Sequence, residues 1–171
     1  MKKKALFITK AAVIAALYAA LTYLSGIFGL AYSGVQFRIS EALTVLPIFT
    51  AAAVPGLTVG CVLANMLSTI NPADMLIGSL ATLLAAVLTR RLKNIQIKGY
   101  PLLSVLMPVL INAVFVGAEL TFFSASEDSA AAFFAASALS VGTGEALVCF
   151  TLGTALIVFI KRSRRLSELL K

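Results

Sequence analysis

Histidine and tryptophan are absent from these 171 residues, and charged side chains make up only 12% of them. An ordinary soluble domain carries about 25% charged residues. Without His there is no imidazole general base, no Ser-His-Asp triad and no His-ligated haem or zinc. The two cysteines, Cys61 and Cys149, lie in apolar runs without a second ligand at metal-binding spacing. They read as small buried hydrophobes. No G-x-x-x-x-G-K-[ST] stretch occurs, so the chain carries no P-loop for ATP. Together these absences disfavour an enzyme and predict no metal and no cofactor.

What is present is apolar surface: 60% of the residues are hydrophobic, in long runs rather than alternating faces. A soluble fold of this size cannot hide so much of it. The expectation is a single domain, 1–171, that is an all-α integral membrane protein. The net charge of +7 suggests nucleic acid only until its distribution is read. Lys2–Lys10, Arg90–Lys98 and Lys161–Lys171 hold every basic residue except Arg38, in short clusters between apolar runs. No basic face is interleaved with aromatics for base stacking, so no nucleic-acid partner is expected.

The pattern predicts a retained first helix over about Ala5–Leu24 rather than a cleaved signal peptide. Ser25–Glu41 reads as an irregular loop dipping into the protein at the membrane face. The uncharged stretch Ala42–Asn71 divides at a Pro55-Gly56 hinge, with helices near Glu41–Ala53 and Leu57–Thr69. Asn71-Pro72-Ala73-Asp74 reads as a turn with Asp74 as N-cap of a helix over Met75–Leu88. A fifth helix covers Leu102–Phe123, and Ser124–Ser129 is an acidic loop. The run Ala130–Ile160 is too long for one span, so its first part is expected to be a separate interfacial turn or helix. Six spans with both termini cytoplasmic put all three basic clusters on one side, as the positive-inside rule requires.

Charges inside a bilayer are costly and usually functional. Arg38, Glu41, Asp74, Glu119 and Glu145 lie in or beside apolar segments, with Asn65 and Asn112 near mid-membrane. Asn112 and Glu119 are seven apart and share a helix face. Each has a plainer reading: Asp74 as an N-cap, Arg38 with Glu41 as a local pair, the two Asn as interhelical hydrogen bonds. Glu119 and Glu145 lack matching cations beyond Arg38. The excess of acid suits a cationic ligand, or one rich in N–H donors. On helix one, Ala11, Ala15 and Ala19 form a small-xxx-small stripe, with Ala12, Ala16 and Ala20 as a parallel row. Such a stripe serves packing inside the bundle or docking of another membrane protein.

Six short spans, a basic N-terminus and the alanine stripe resemble the S components of energy-coupling-factor (ECF) importers. Val35–Pro47, Gly60–Asn65, Asp74 and Gly78–Ala86 are similar to the queuosine-precursor family, QueT; Phe37-Arg38-x-Ser40-Glu41 is the most specific part. The resemblance covers essentially the whole chain. It implies a subunit of the plasma membrane that captures a 7-deazaguanine outside the cell, such as 7-aminomethyl-7-deazaguanine or queuine. It implies docking on a transmembrane T protein with two ATPases, for which Ala11, Ala15 and Ala19 are the candidate face. With such a ligand in view, carboxylates and Asn suit the N–H donors of the base. Arg38 suits its carbonyl, and Phe37 or Phe115 its flat ring. Glu145, Glu119, Asn65 and Glu41 lead the candidate set, followed by Arg38, Asn112, Phe37, Phe115 and Asp74. An S component for another heterocycle, and a stand-alone carrier using Glu119 or Glu145 as its proton site, remain alternatives.

Overall fold

The structure is a computed structural model. It describes residues 2–29, 37–66, 72–124, 126 and 129–170, and within these not the side chains of 72–74. Among the described residues the architecture is all helical: α1 (Lys2–Ile27), a 3-10 helix (Ile39–Ile48), α2 (Ala53–Met66), α3 (Pro72–Leu92), α4 (Leu102–Ser124), α5 (Ala130–Val148), a π turn (Cys149–Gly153), α6 (Thr154–Arg162) and α7 (Arg164–Leu170). Four stretches are long and apolar enough to cross a membrane: Lys2–Ile27, Met75–Leu92, Leu102–Ser124 and Ala130–Arg162. The 3-10 helix and α2 are apolar but shorter. Large apolar side chains such as Leu6, Ile8, Leu80, Phe122 and Leu139 cover the outside. Polar ones, including Ser40, Glu41, Thr44, Asn112 and Glu145, are buried. That inversion of the soluble pattern is what lipid demands.

The long helices pack in chain order: α1 on α2, α2 on α3, α3 on α4, α4 on α5. The 3-10 helix runs through their middle and touches α1 to α6 and the π turn. Its residues are drawn away from α geometry by two local features. Pro47 has no N–H for an i→i−4 bond. The Thr44 hydroxyl donates to the Glu41 carbonyl at 2.6 Å, a side-chain competitor for the backbone ladder. With three residues per turn, positions i and i+3 stack into columns. The Val45 column meets Val105, Val109, Cys149 and Ile157. Leu46 belongs to the cluster of Ile14, Tyr18 and Leu57 on the other side.

Several expected boundaries change. Pro55-Gly56 is no hinge: both lie in the first turns of α2, where a missing N–H costs nothing. A Cβ on Gly56 would sit 2.8 Å from the Ala11 carbonyl oxygen, and one on Gly60 2.8 Å from both the Ala15 carbonyl oxygen and Tyr18 Cβ. These glycines are the seat of α1 on α2. Ser25 is still inside α1, which runs on to Ile27, and its hydroxyl accepts the Ile39 N–H at 3.0 Å; Ile39–Glu41 of the expected loop already belong to the 3-10 helix, and 30–36 lie outside the described residues. Asp74 is the third residue of α3, not the residue before it. Ala130 to Arg162 is one unbroken helical run of 33 residues. The expected break before the span is not seen; the one irregularity in the run is the π turn at Cys149–Gly153. Asn71, Glu127 and Asp128 lie outside the described residues.

Candidate functional site

Helical rise places Tyr18 about 24 Å from the basic end of α1, and Asn112 about 15 Å from the start of α4. Glu145 stands about 26 Å from the basic end of α6 by the same rise. These three, with Arg38, Glu41, Cys61 and Thr82, line one internal cavity; Gly78, Val116 and Val141 complete its described wall. The 3-10 helix, α1 to α5 and the residue before the 3-10 helix each contribute. The cavity is about 10 Å³, room for about one water.

The polar groups are arranged in donor–acceptor pairs. The Tyr18 hydroxyl donates to Glu41 Oε1. The Asn112 side-chain amide donates to Glu145 Oε1 at 2.6 Å. The Cys149 thiol stands 3.8 Å from Glu145 Oε2 and 3.7 Å from the Glu41 carbonyl oxygen. Beneath the cavity, Thr22 donates to the Ser40 hydroxyl at 2.7 Å, tying α1 to the 3-10 helix. Glu41 Oε2 is buried and accepts no hydrogen bond among the described residues. Two carboxylates and one guanidinium make the wall rich in acceptors. Such a set is complementary to N–H donors and, through the guanidinium, to a carbonyl.

The structure brings Arg38, Glu41, Asn112 and Glu145 together, from three separate stretches of sequence. Asn65 lies beside them: it is buried on α2, and its amide meets the Cys61 sulfur at 3.6 Å. Phe37 is half-buried and is not part of the described wall. Glu119 and Phe115 are placed elsewhere. They line an open surface groove of about 530 Å³ with Ile77, Val114, Phe122 and Phe123, on the α3–α4 side, several of these side chains being exposed. The spacing of seven does give Glu119 the face of Asn112, but it also sets Glu119 about 10 Å farther along the axis. The side chain of Asp74 lies outside the described residues.

The alanine stripe divides as well. Ala15 is buried against Gly60, and Ala11 meets Gly56. The parallel row Ala12, Ala16 and Ala20 is exposed. An Ala15→Leu change would strike the α1–α2 contact one turn from Tyr18.

Three wall residues escaped the sequence reading: Tyr18, Cys61 and Thr82. Tyr is common at membrane interfaces, and a lone Tyr on an alanine-rich helix carries no signal of its own. Its available signal was register: Tyr18 follows Ile14 by four on the buried face of α1.

Known proteins give an independent view. The sequence model of the family described as "QueT transporter" matches residues 8–162. The Queuosine precursor transporter QueT of Lactococcus lactis subsp. cremoris (strain MG1363) is 37% identical over 82 residues, 48% of each chain. The match thus spans about half the length of this curated relative. No solved structure matches the chain significantly.

Proposed function

The chain belongs to the QueT transporter family, and from that membership we propose that it is the substrate-binding membrane subunit of an importer for a queuosine precursor. The family is one of transporters, not enzymes. With four long apolar helices, the chain is a multi-pass membrane protein. The proposed ligand is a 7-deazaguanine, 7-aminomethyl-7-deazaguanine or queuine, held at the centre of the bundle. Glu41, Glu145 and Asn112 meet its N–H donors and any ammonium group, and Arg38 meets the ring carbonyl. The observation that carries this reading is the convergence of Arg38, Glu41, Asn112 and Glu145 on one buried cavity. A membrane protein has no structural reason to gather two carboxylates there.

The cavity of about 10 Å³ is far below the few hundred Å³ usual for small-molecule sites. A ligand of that size therefore requires this cavity to widen. Six crossings with both ends in the cytoplasm fit the distribution of the basic clusters. The cell membrane is the matching location. The chain carries no P-loop for ATP, which fits an ECF arrangement in which a T protein and two ATPases supply the energy. The exposed row Ala12, Ala16 and Ala20 is the face of α1 open to such a partner.

Thermal unfolding of the purified protein tests the reading. A true ligand raises the midpoint, and does so without ATP, because it binds only the folded state. Stabilisation by 7-deazaguanines but not by adenine supports the assignment. Stabilisation by an unrelated vitamin instead replaces it.

A further inference from the structure

We propose that Tyr18 is the positioning residue of the site: it holds Glu41 by one oxygen so that the other is kept for the ligand's exocyclic amine. This deepens the ligand reading above and rests on it.

The two carboxylates of the cavity are not equivalent. Glu145 Oε1 accepts the Asn112 amide at 2.6 Å, and its Oε2 faces the Cys149 thiol at 3.8 Å, whose single hydrogen is shared with the Glu41 carbonyl at 3.7 Å. Glu41 is 2% exposed, accepts the Tyr18 hydroxyl on Oε1, and leaves Oε2 buried with no hydrogen bond among the described residues. A buried acceptor left open is costly unless something supplies a donor. The wall around it is where a ligand would.

The rest of Glu41 is fixed before any ligand arrives. Its backbone N–H donates to the Arg38 carbonyl at 3.1 Å, and its carbonyl accepts from Thr44 at 2.6 Å. What remains free is the side chain, and Tyr18 removes that freedom. Tyr18 is itself immobilised: it is 1% exposed, and its Cβ abuts α2 at Gly60, where an added methyl would lie 2.8 Å away. Glu41 is thus oriented through Tyr18 by the α1–α2 contact. Ordering a flexible carboxylate in advance removes a cost that binding would otherwise carry. An acceptor oriented in this way suits an amine attached to a ring, such as the 2-amino group of a 7-deazaguanine.

The test measures binding of two probes by calorimetry in detergent: 7-aminomethyl-7-deazaguanine and its analogue lacking the 2-amino group. Wild type is expected to prefer the first by about tenfold or more, the range of a charge-assisted hydrogen bond. Tyr18→Phe keeps the ring against Gly60 and removes the hydroxyl. It is expected to weaken the amino probe by about fivefold and the deamino probe by less than about twofold. Glu41→Gln is expected to abolish the preference, and Tyr18→Phe added to it to cost nothing more. Equal losses on both probes would make Tyr18 a packing residue and overturn the inference. So would an unchanged affinity in Tyr18→Phe. A wild type that binds neither probe overturns the functional reading, and the inference with it.

Discussion

Glu41 and Glu145 sit in a cavity of about 10 Å³ beside Tyr18, Arg38, Asn112 and two thiols. Glu119, on the same bundle, borders an open surface groove of about 530 Å³ whose other described walls are Ile, Val, Ala and Phe. All three carboxylates are buried to a similar degree. Burial alone therefore does not single out a recognition site. Neighbours do: a polar ligand needs acceptors and donors that converge within hydrogen-bond reach, and only the central region among the described residues assembles both signs of charge with amides and hydroxyls.

That contrast can be broken from several directions. The largest effect is expected from Gly60→Leu. It forces an isobutyl group into the Ala15 and Tyr18 contact at 2.8 Å, and overpacking of this kind costs about 3 kcal/mol. Thermal unfolding should show the loss, together with abolished ligand binding; an unchanged midpoint would mean the two helices do not meet there. Next come Glu41→Ala and Glu145→Ala, each expected to weaken 7-deazaguanine binding by about 10- to 100-fold. Glu119→Ala should change it by less than about threefold, because its groove is separate. Equal losses at all three positions would merge the two regions into one site. A smaller effect, about fivefold, is expected for Asn112→Ala, which removes one neutral donor from Glu145. Smallest in binding is Ala16→Leu on the exposed row, within about twofold. In a reconstituted importer with T protein and ATPases the same variant should stop uptake. Full uptake by Ala16→Leu would rule out that face as the docking surface.

Much of this arrangement was legible in the sequence, for reasons particular to membranes. Because charges are scarce in apolar segments, Arg38, Glu41, Asn112 and Glu145 stood out as candidates, and the structure brings them to one cavity. The long helices α1, α3 and α4 followed from apolar runs ended by basic clusters. The stretch 42–66 was misread because it offers no charge to mark a boundary. Its only punctuation, Pro55-Gly56, serves the start of a helix and a close packing contact instead of a hinge. The π turn was invisible, since an extra residue in a helical turn leaves no compositional trace. Glu119 shares the face of Asn112 as its spacing indicated, but helical spacing does not report the neighbours that cover a residue, here those of the α3–α4 side. Tyr18 was overlooked because its importance comes from Glu41, a partner 23 residues away.

The 3-10 helix through the middle of the bundle has a mechanical consequence. At about 2 Å of rise per residue, ten residues reach about 20 Å, a length for which an α-helix would need thirteen or more. One end carries Glu41 at the polar cavity. The other ends near Pro47, whose carbonyl receives the Arg90 guanidinium at 3.1 Å beside the basic end of α3. The segment is therefore a short strut between two loads. Glu41 and Pro47 are six residues apart, about 12 Å at that rise, so one short helical segment ties the polar cavity to the Arg90 contact.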